Sequence, residues 1–168
     1  FAGQVDIYQG RDLPFRTTID RSHANWTLFG HDASDHLGSS LLFIDSDGDS
    51  NNELFAGAPD DDGLDNIQGG AGAGYGFDIE WPPERYVNIT DSFFMAKGHG
   101  SDWSSFSSMI GIDMNGDFKD ELLIGSPGAS DQDGSYDGAI TMITGTPLWD
   151  AQFIGEYNRG QFGKGNLM

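Results

Sequence analysis

Residues 37–63 read LGSSLLFIDSDGDSNNELFAGAPDDDG, and residues 106–134 read FSSMIGIDMNGDFKDELLIGSPGASDQDG. The second stretch repeats the first. Asp45 aligns with Asp113, Asp47 with Asn115, Gly48 with Gly116, Asp49 with Asp117 and Glu53 with Glu121, each pair 68 residues apart. Gly57-Ala58-Pro59 aligns with Gly125-Ser126-Pro127 at the same spacing. A third mark recurs at 3–8, 74–79 and 138–143, where a glycine opens a short apolar run at intervals of 71 and 64 residues. Self-similarity on this scale is the mark of a supersecondary unit that stacks against its own copies.

The unit is built from strands. Apolar runs at 41–44, 53–56, 75–79, 109–112, 121–124 and 139–143 have strand length and are bounded by Gly, Asp and Ser. No segment carries the three or four turns of apolar periodicity that an amphipathic helix needs. About four strands fit one period, the size of a propeller blade. The expected fold is therefore all-β: a β-propeller fragment of four-stranded antiparallel blades with calcium-binding hairpin loops. Residues 1–168 read as a partial propeller, with 1–8 closing a preceding blade, 9–79 and 80–143 forming two blades, and 144–168 starting another. Residues 81–83 (Trp-Pro-Pro) read as a connection, because consecutive prolines break a central strand. Residues 160–167 resemble 35–42, the approach to a metal loop.

The nine residues Asp45–Glu53 place oxygen-bearing side chains at positions 1, 3, 5 and 9, and residues 113–121 do the same. Calcium takes six to eight hard oxygens in a flexible cage, whereas magnesium keeps several of its waters. Alternate side chains of a tight loop can point inwards, and the backbone carbonyl at position 7 (Asn51, Lys119) can fill a gap. An EF-hand is excluded, since position 12 is Ala56 or Ile124 rather than Glu and position 6 is Ser50 or Phe118 rather than Gly. The plainer reading is a pair of polar hairpin turns, for which Asp and Gly are ordinary residues. Two copies in register, each followed by the same tail, favour metal.

These residues resemble FG-GAP repeats, as in the integrin alpha-subunit propeller and glycosylphosphatidylinositol-specific phospholipase D. The name-giving elements stand as Phe29-Gly30 with Gly57-Ala58-Pro59, and as Gly125-Ser126-Pro127 in the second unit. The resemblance implies a propeller with two calcium ions on blade hairpins. One would be held by Asp45, Asp47, Asp49, Asn51 and Glu53, the other by Asp113, Asn115, Asp117, Lys119 and Glu121. Two departures stand out. Such loops commonly carry Gly at position 6, where this chain has Ser50 and Phe118, and the second unit has Ala96-Lys97-Gly98 in place of Phe-Gly.

Composition narrows the partners. Asp and Glu number 27 against 8 Lys and Arg, a net charge of −19 that repels phosphate backbones and anionic lipid heads. Nucleic acid is not expected, nor membrane insertion, because no apolar run approaches the roughly 18 residues a span requires. Without cysteine there are no disulfides or thiolate metal sites. The triplets at Asn25 and Asn88 are N-glycosylation acceptors, which point to a secreted or cell-surface glycoprotein.

No nucleophile elbow, phosphate loop or paired-histidine helix is visible, so no catalytic residue is assigned. The leading reading is an interaction module, integrin-like and suited to cell adhesion, that binds a protein or glycan. Alternatives are the propeller of a phospholipase whose catalytic domain lies outside these residues, and a structural subunit of an extracellular assembly. Further blades or other copies of the molecule are expected to cover the outer blade faces. His31, Asp32, Asp35 and His36 have the composition of a zinc site, with a solvated loop as the plainer reading. Asp60-Asp61-Asp62 and residues 131–133 are candidate loop contacts, and Trp103 and Trp149 candidate ligand platforms.

Overall fold

A computed structural model describes residues 2–10, 18–62, 70–79, 86–98, 105–129 and 138–144, with the backbone of 149–154. The strands are β1 (Gln4–Ile7), β2 (Trp26–Phe29), β3 (Ser40–Ile44), β4 (Glu53–Ala58), β5 (Ala73–Phe77) and β6 (Tyr86–Asn88). They continue as β7 (Phe94–Lys97), β8 (Ser108–Ile112), β9 (Glu121–Ser126), β10 (Ala139–Thr144) and β11 (Trp149–Ile154). Three sheets result, with strand orders β1-β2-β6, β3-β4-β5-β7 and β8-β9-β10-β11. Neighbouring strands in both four-stranded sheets are antiparallel, while β6 runs parallel to β2.

The hydrogen bonding divides the chain differently from the repeat phase. β7 lies beyond residue 79 yet closes the sheet of β3, β4 and β5. β11 lies beyond residue 143 and closes the sheet of β8, β9 and β10. β2 falls within 9–79 but pairs with β1. The physical reason is that the outermost strand carries neither the acidic loop nor the Gly-Ala/Ser-Pro tail. The sheets therefore keep the pitch of the repeat and are offset from its phase.

The inner strands of the middle sheet, β4 and β5, are buried on both faces. On one side Leu54, Ala56, Ala58, Ala73, Tyr75 and Phe77 meet Val5, Trp26, Leu28, Val87 and Ile89 of the three-stranded sheet. Trp26 meets Phe77 edge to face at 6.3 Å. On the other side Leu42, Ile44, Phe55, Phe94 and Ala96 meet Phe106, Met109, Leu122, Ile124 and Ile143. This two-sided burial explains why β4 and β5 lack a polar alternate row: every residue of both strands is buried.

The glycines of β5 have a packing reason. Gly74 and Gly76 alternate with Ala73, Tyr75 and Phe77 and face the third sheet. A Cβ at Gly74 would stand 2.2 Å from Cδ1 of Phe106, and one at Gly76 would stand 2.9 Å from Cε1 of Phe55. The missing side chains make the slot that the Phe106 ring fills, and Phe106 is 2% exposed. Its carbonyl accepts from the Ser40 hydroxyl at 2.6 Å, tying the turn before β8 to β3.

Candidate metal centre

Each nine-residue loop is the turn of a hairpin, β3–β4 for the first and β8–β9 for the second. The two loops share one backbone solution. Position 4 is a glycine with positive φ, 83° at Gly48 and 79° at Gly116, and position 6 is also left-handed, 71° at Ser50 and 67° at Phe118. Glycine favours that region, which accounts for its usual place at position 6; a non-glycine residue there carries strain. Phe118 is 84% exposed, so its ring gives no packing in return.

Asp45 organises the first loop from position 1. Its Oδ1 accepts from the Gly48 N–H at 2.7 Å and its Oδ2 from the Ser50 N–H at 2.9 Å. Asp47 accepts from the Asp49 N–H, and Asp49 from the Asn51 N–H and amide. Asp45, Asp47 and Asp49 each bring one carboxylate oxygen within 4.8 Å of the others. Glu53 sits behind them, buried, with Oε2 accepting from the Ser46 N–H and hydroxyl at 2.8 and 2.6 Å. Burial holds its carboxyl above the usual range, the bonds from Ser46 oppose that rise, and Asp47 and Asp45 add to it. The Asn51 side chain donates to Asp49, which leaves the backbone carbonyl as its possible contribution.

The second loop repeats this plan with one difference. Asp113 accepts from the N–H groups of Gly116, Asp117 and Phe118, and buried Glu121 accepts from the Met114 N–H at 2.7 Å. The Asn115 amide donates to both Asp117 Oδ2 at 3.1 Å and Glu121 Oε1 at 2.9 Å, bridging two expected ligands. A ligating Asn115 would have to present Oδ1, which here accepts from the Asp117 N–H. Lys119 lays its stem along the neighbouring loop, with Cγ 3.1 Å from where a Gly48 Cβ would be. As donor sets, both loops offer hard oxygen and fit a calcium-class cation, the first with three clustered carboxylates and the second with an amide among them.

The loops also touch each other, through a residue that self-comparison passes over. The Asp120 N–H donates to the Asp45 carbonyl at 2.8 Å, and Asp120 Oδ2 accepts from the Asp45 N–H at 3.2 Å. Asp120 aligns with Asn52, so as a mismatch in the repeat it gave no signal.

The remaining candidates fall elsewhere. His31 pairs with Asp32 and His36 with Asp60, each through Nδ1, at 2.8 and 2.7 Å, so the two rings serve different acids. Asp61 is buried and accepts from the Tyr75 hydroxyl. Burial first, then Asp61, pushes the Tyr75 phenol far up. Among the described residues, Asp45, Asp47 and Asp49 form the one group of three or more such side chains close enough to share an ion. Asn88 is exposed; Asn25 is half-buried, with Oδ1 accepting from the Gln9 N–H at 2.7 Å. Residues 81–83, 131–133 and 160–167, Trp103 and the side chain of Trp149 lie outside the described residues.

Residues 106–141 match the FG-GAP repeat family. This segment runs from the Phe106 turn through β8, the second loop and β9 into β10. FG-GAP repeats are propeller units, so the two face-packed four-stranded sheets are blades, and the fold is an all-β propeller fragment. The absent Phe-Gly pair of the second unit is half present in structure. A Cβ at Gly98 would stand 2.2 Å from the Ala71 carbonyl oxygen, as one at Gly30 would from that of Ala2. The glycine thus keeps its place where the aromatic residue of the first unit has changed. No curated protein matches the chain.

Proposed function

We propose that this chain is a calcium-stabilised β-propeller interaction module of a secreted or cell-surface glycoprotein, and that it binds a protein or glycan partner. The observation that carries the reading is the first loop, where three carboxylates converge in front of a buried fourth. Such a group repels itself, and burial already disfavours the Glu53 charge. A divalent ion reverses both penalties. Two such ions would change the formal charge from −19 to −15.

The outer faces bear on partners. Leu41 and Phe43 of the edge strand β3, and Ile110 and Ile112 on the outward face of β8, are each about half exposed or more. In this reading further blades of the same chain, or copies of it, cover them. The extracellular setting rests on the FG-GAP match and on the exposed acceptor Asn88. No helix among the described residues is long and apolar enough to cross a membrane.

Thermal melts with calcium and with chelator test the proposal. Metal that binds only the folded state adds about 2.7 kcal/mol at a hundredfold excess over its dissociation constant. A midpoint that does not move across calcium concentrations refutes it. Asp49→Ala is expected to remove one of two sites, and intact mass before and after glycosidase reads the occupancy of Asn25 and Asn88.

A further inference from the structure

The two blades do not close against each other at the end that carries the loops. A cavity of about 340 Å³ remains there. Its floor is apolar, made by Phe55, Phe94, Leu122 and Ile143, and Phe93 stands at one side. The three rings meet at steep angles, Phe55 with Phe93 at 6.0 Å and 86°, and Phe55 with Phe94 at 5.4 Å and 63°. Four carboxylates, Asp47, Glu53, Asp78 and Asp120, line the cavity together with Ser46. Among the described residues no Lys, Arg or His lines it. Asp78 and Phe93 belong to neither metal loop, and both side chains are exposed.

This composition selects its occupant. Asp47 and Glu53 also belong to the first loop's cation site, so with calcium bound Asp78 and Asp120 are the acids that repel anions. A neutral apolar molecule would cover carboxylates without pairing them, which is costly. A bare metal ion gains nothing from the phenyl floor. A cation on an apolar body satisfies both halves, since aromatic faces attract ammonium groups and carboxylates complement their charge. The volume lies near the lower end of the roughly 300–1,000 Å³ of ligand cavities, which fits a small head group or one side chain.

We propose that this inter-blade cavity binds an organic ammonium group, with the positive head at Asp78 and Asp120 and the apolar body on the Phe55, Phe93 and Phe94 rings. Two sources share that chemistry, a choline-type head group and a lysine side chain.

The 168-residue chain is titrated by calorimetry with choline and with N-acetyl-lysine amide. Their neutral isosteres, 3,3-dimethylbutanol and N-acetyl-norleucine amide, serve as references. Calcium stays in the buffer, so that a failure of the calcium melts and a failure of this titration are separate results. At least one ammonium compound is expected to bind saturably and at least tenfold tighter than its isostere, and whichever does so identifies the source. Asp78→Asn and Phe93→Ala are each expected to weaken it threefold or more while the melting midpoint holds. Isosteres that bind equally well, no binding by either cation, or variants that bind like the parent would each overturn the proposal.

Discussion

Gly74→Ala is the sharpest test of how the blades fit together. Its backbone needs no left-handed conformation, so the substitution acts through space alone. The new methyl would lie 2.2 and 2.3 Å from Cδ1 and Cε1 of Phe106. Carbon atoms pack at about 3.5–4.0 Å, so the ring must withdraw by more than about 1 Å. It has little room to do so. Phe106 is buried, its φ is already 62°, and its carbonyl is held by Ser40. Overpacking of this kind costs about 1–3 kcal/mol, and for a chain of this size each kcal/mol lowers the midpoint by about 2–4 °C. Melts in calcium buffer are expected to fall by about 2–12 °C for Gly74→Ala. Gly10→Ala, with none of the described residues within 4 Å of the added Cβ, is expected to leave the midpoint alone. Combining Gly74→Ala with Phe106→Leu should recover part of the loss, because a smaller side chain vacates the slot. If the two changes add to within about 0.5 kcal/mol, the slot does not couple the blades and the reasoning is wrong.

Asp120→Ala leaves the Asp45 N–H without its side-chain acceptor and is expected to cost about 1–3 kcal/mol, read by urea unfolding. It should also raise the calcium needed at the first loop, although Asp120 is not among the expected ligands; Asn52→Ala, at the equivalent position, is the control. Phe118→Gly relieves a left-handed residue whose ring is exposed and is expected to stabilise the fold by about 1 kcal/mol in the same assay. Burial, with Asp61, Asp32 and Asp62 adding to it, raises the Asp35 carboxyl above 3.8 against the bond from the Asp32 N–H. The folded state then binds more protons than the unfolded state just above that pH, so stability falls as pH rises through the window. Asp35→Asn is expected to flatten that slope, gaining on the parent at neutral pH and matching it in acid, as followed by unfolding midpoints across pH.

The inner strands and both loops were legible in the sequence because each has a local signature. Apolar runs at 41–44, 53–56, 109–112 and 121–124 fall within β3, β4, β8 and β9. The spacing of Asp45, Asp47 and Asp49 anticipated oxygens that converge. The shortest strands left little mark, Phe29-Gly30 at the end of β2 apart. β2, β6 and β7 are three or four residues long, and their partners are chosen by long-range packing rather than by a turn. The same limit hid the cavity acids. Asp78 and Asp120 come to one place only because two blades meet face to face, and Asp120 occupies a position where the repeat changes residue. The contact of Gly98 survives in the second unit because it is a backbone approach, which keeps the glycine and leaves the preceding residue free to vary.

The parallel pairing of β6 with β2 has a consequence for how the molecule comes apart. Between β5 and β7, both in the middle sheet, the chain crosses to the neighbouring sheet and sets Tyr86, Val87 and Asn88 beside Thr27, Leu28 and Phe29. Val87 is buried there, and Tyr86 stacks on Phe29. Consecutive blades are thus sewn together by a strand as well as pressed together by side chains. In a linear array, such a stitch strengthens the nearest-neighbour term at the expense of each unit's independence. A blade cannot fray singly without first releasing its neighbour's edge. Amide hydrogens of 86–88 should therefore exchange in step with those of β2, from the other blade, rather than with β7, which lies only a few residues further along the same chain.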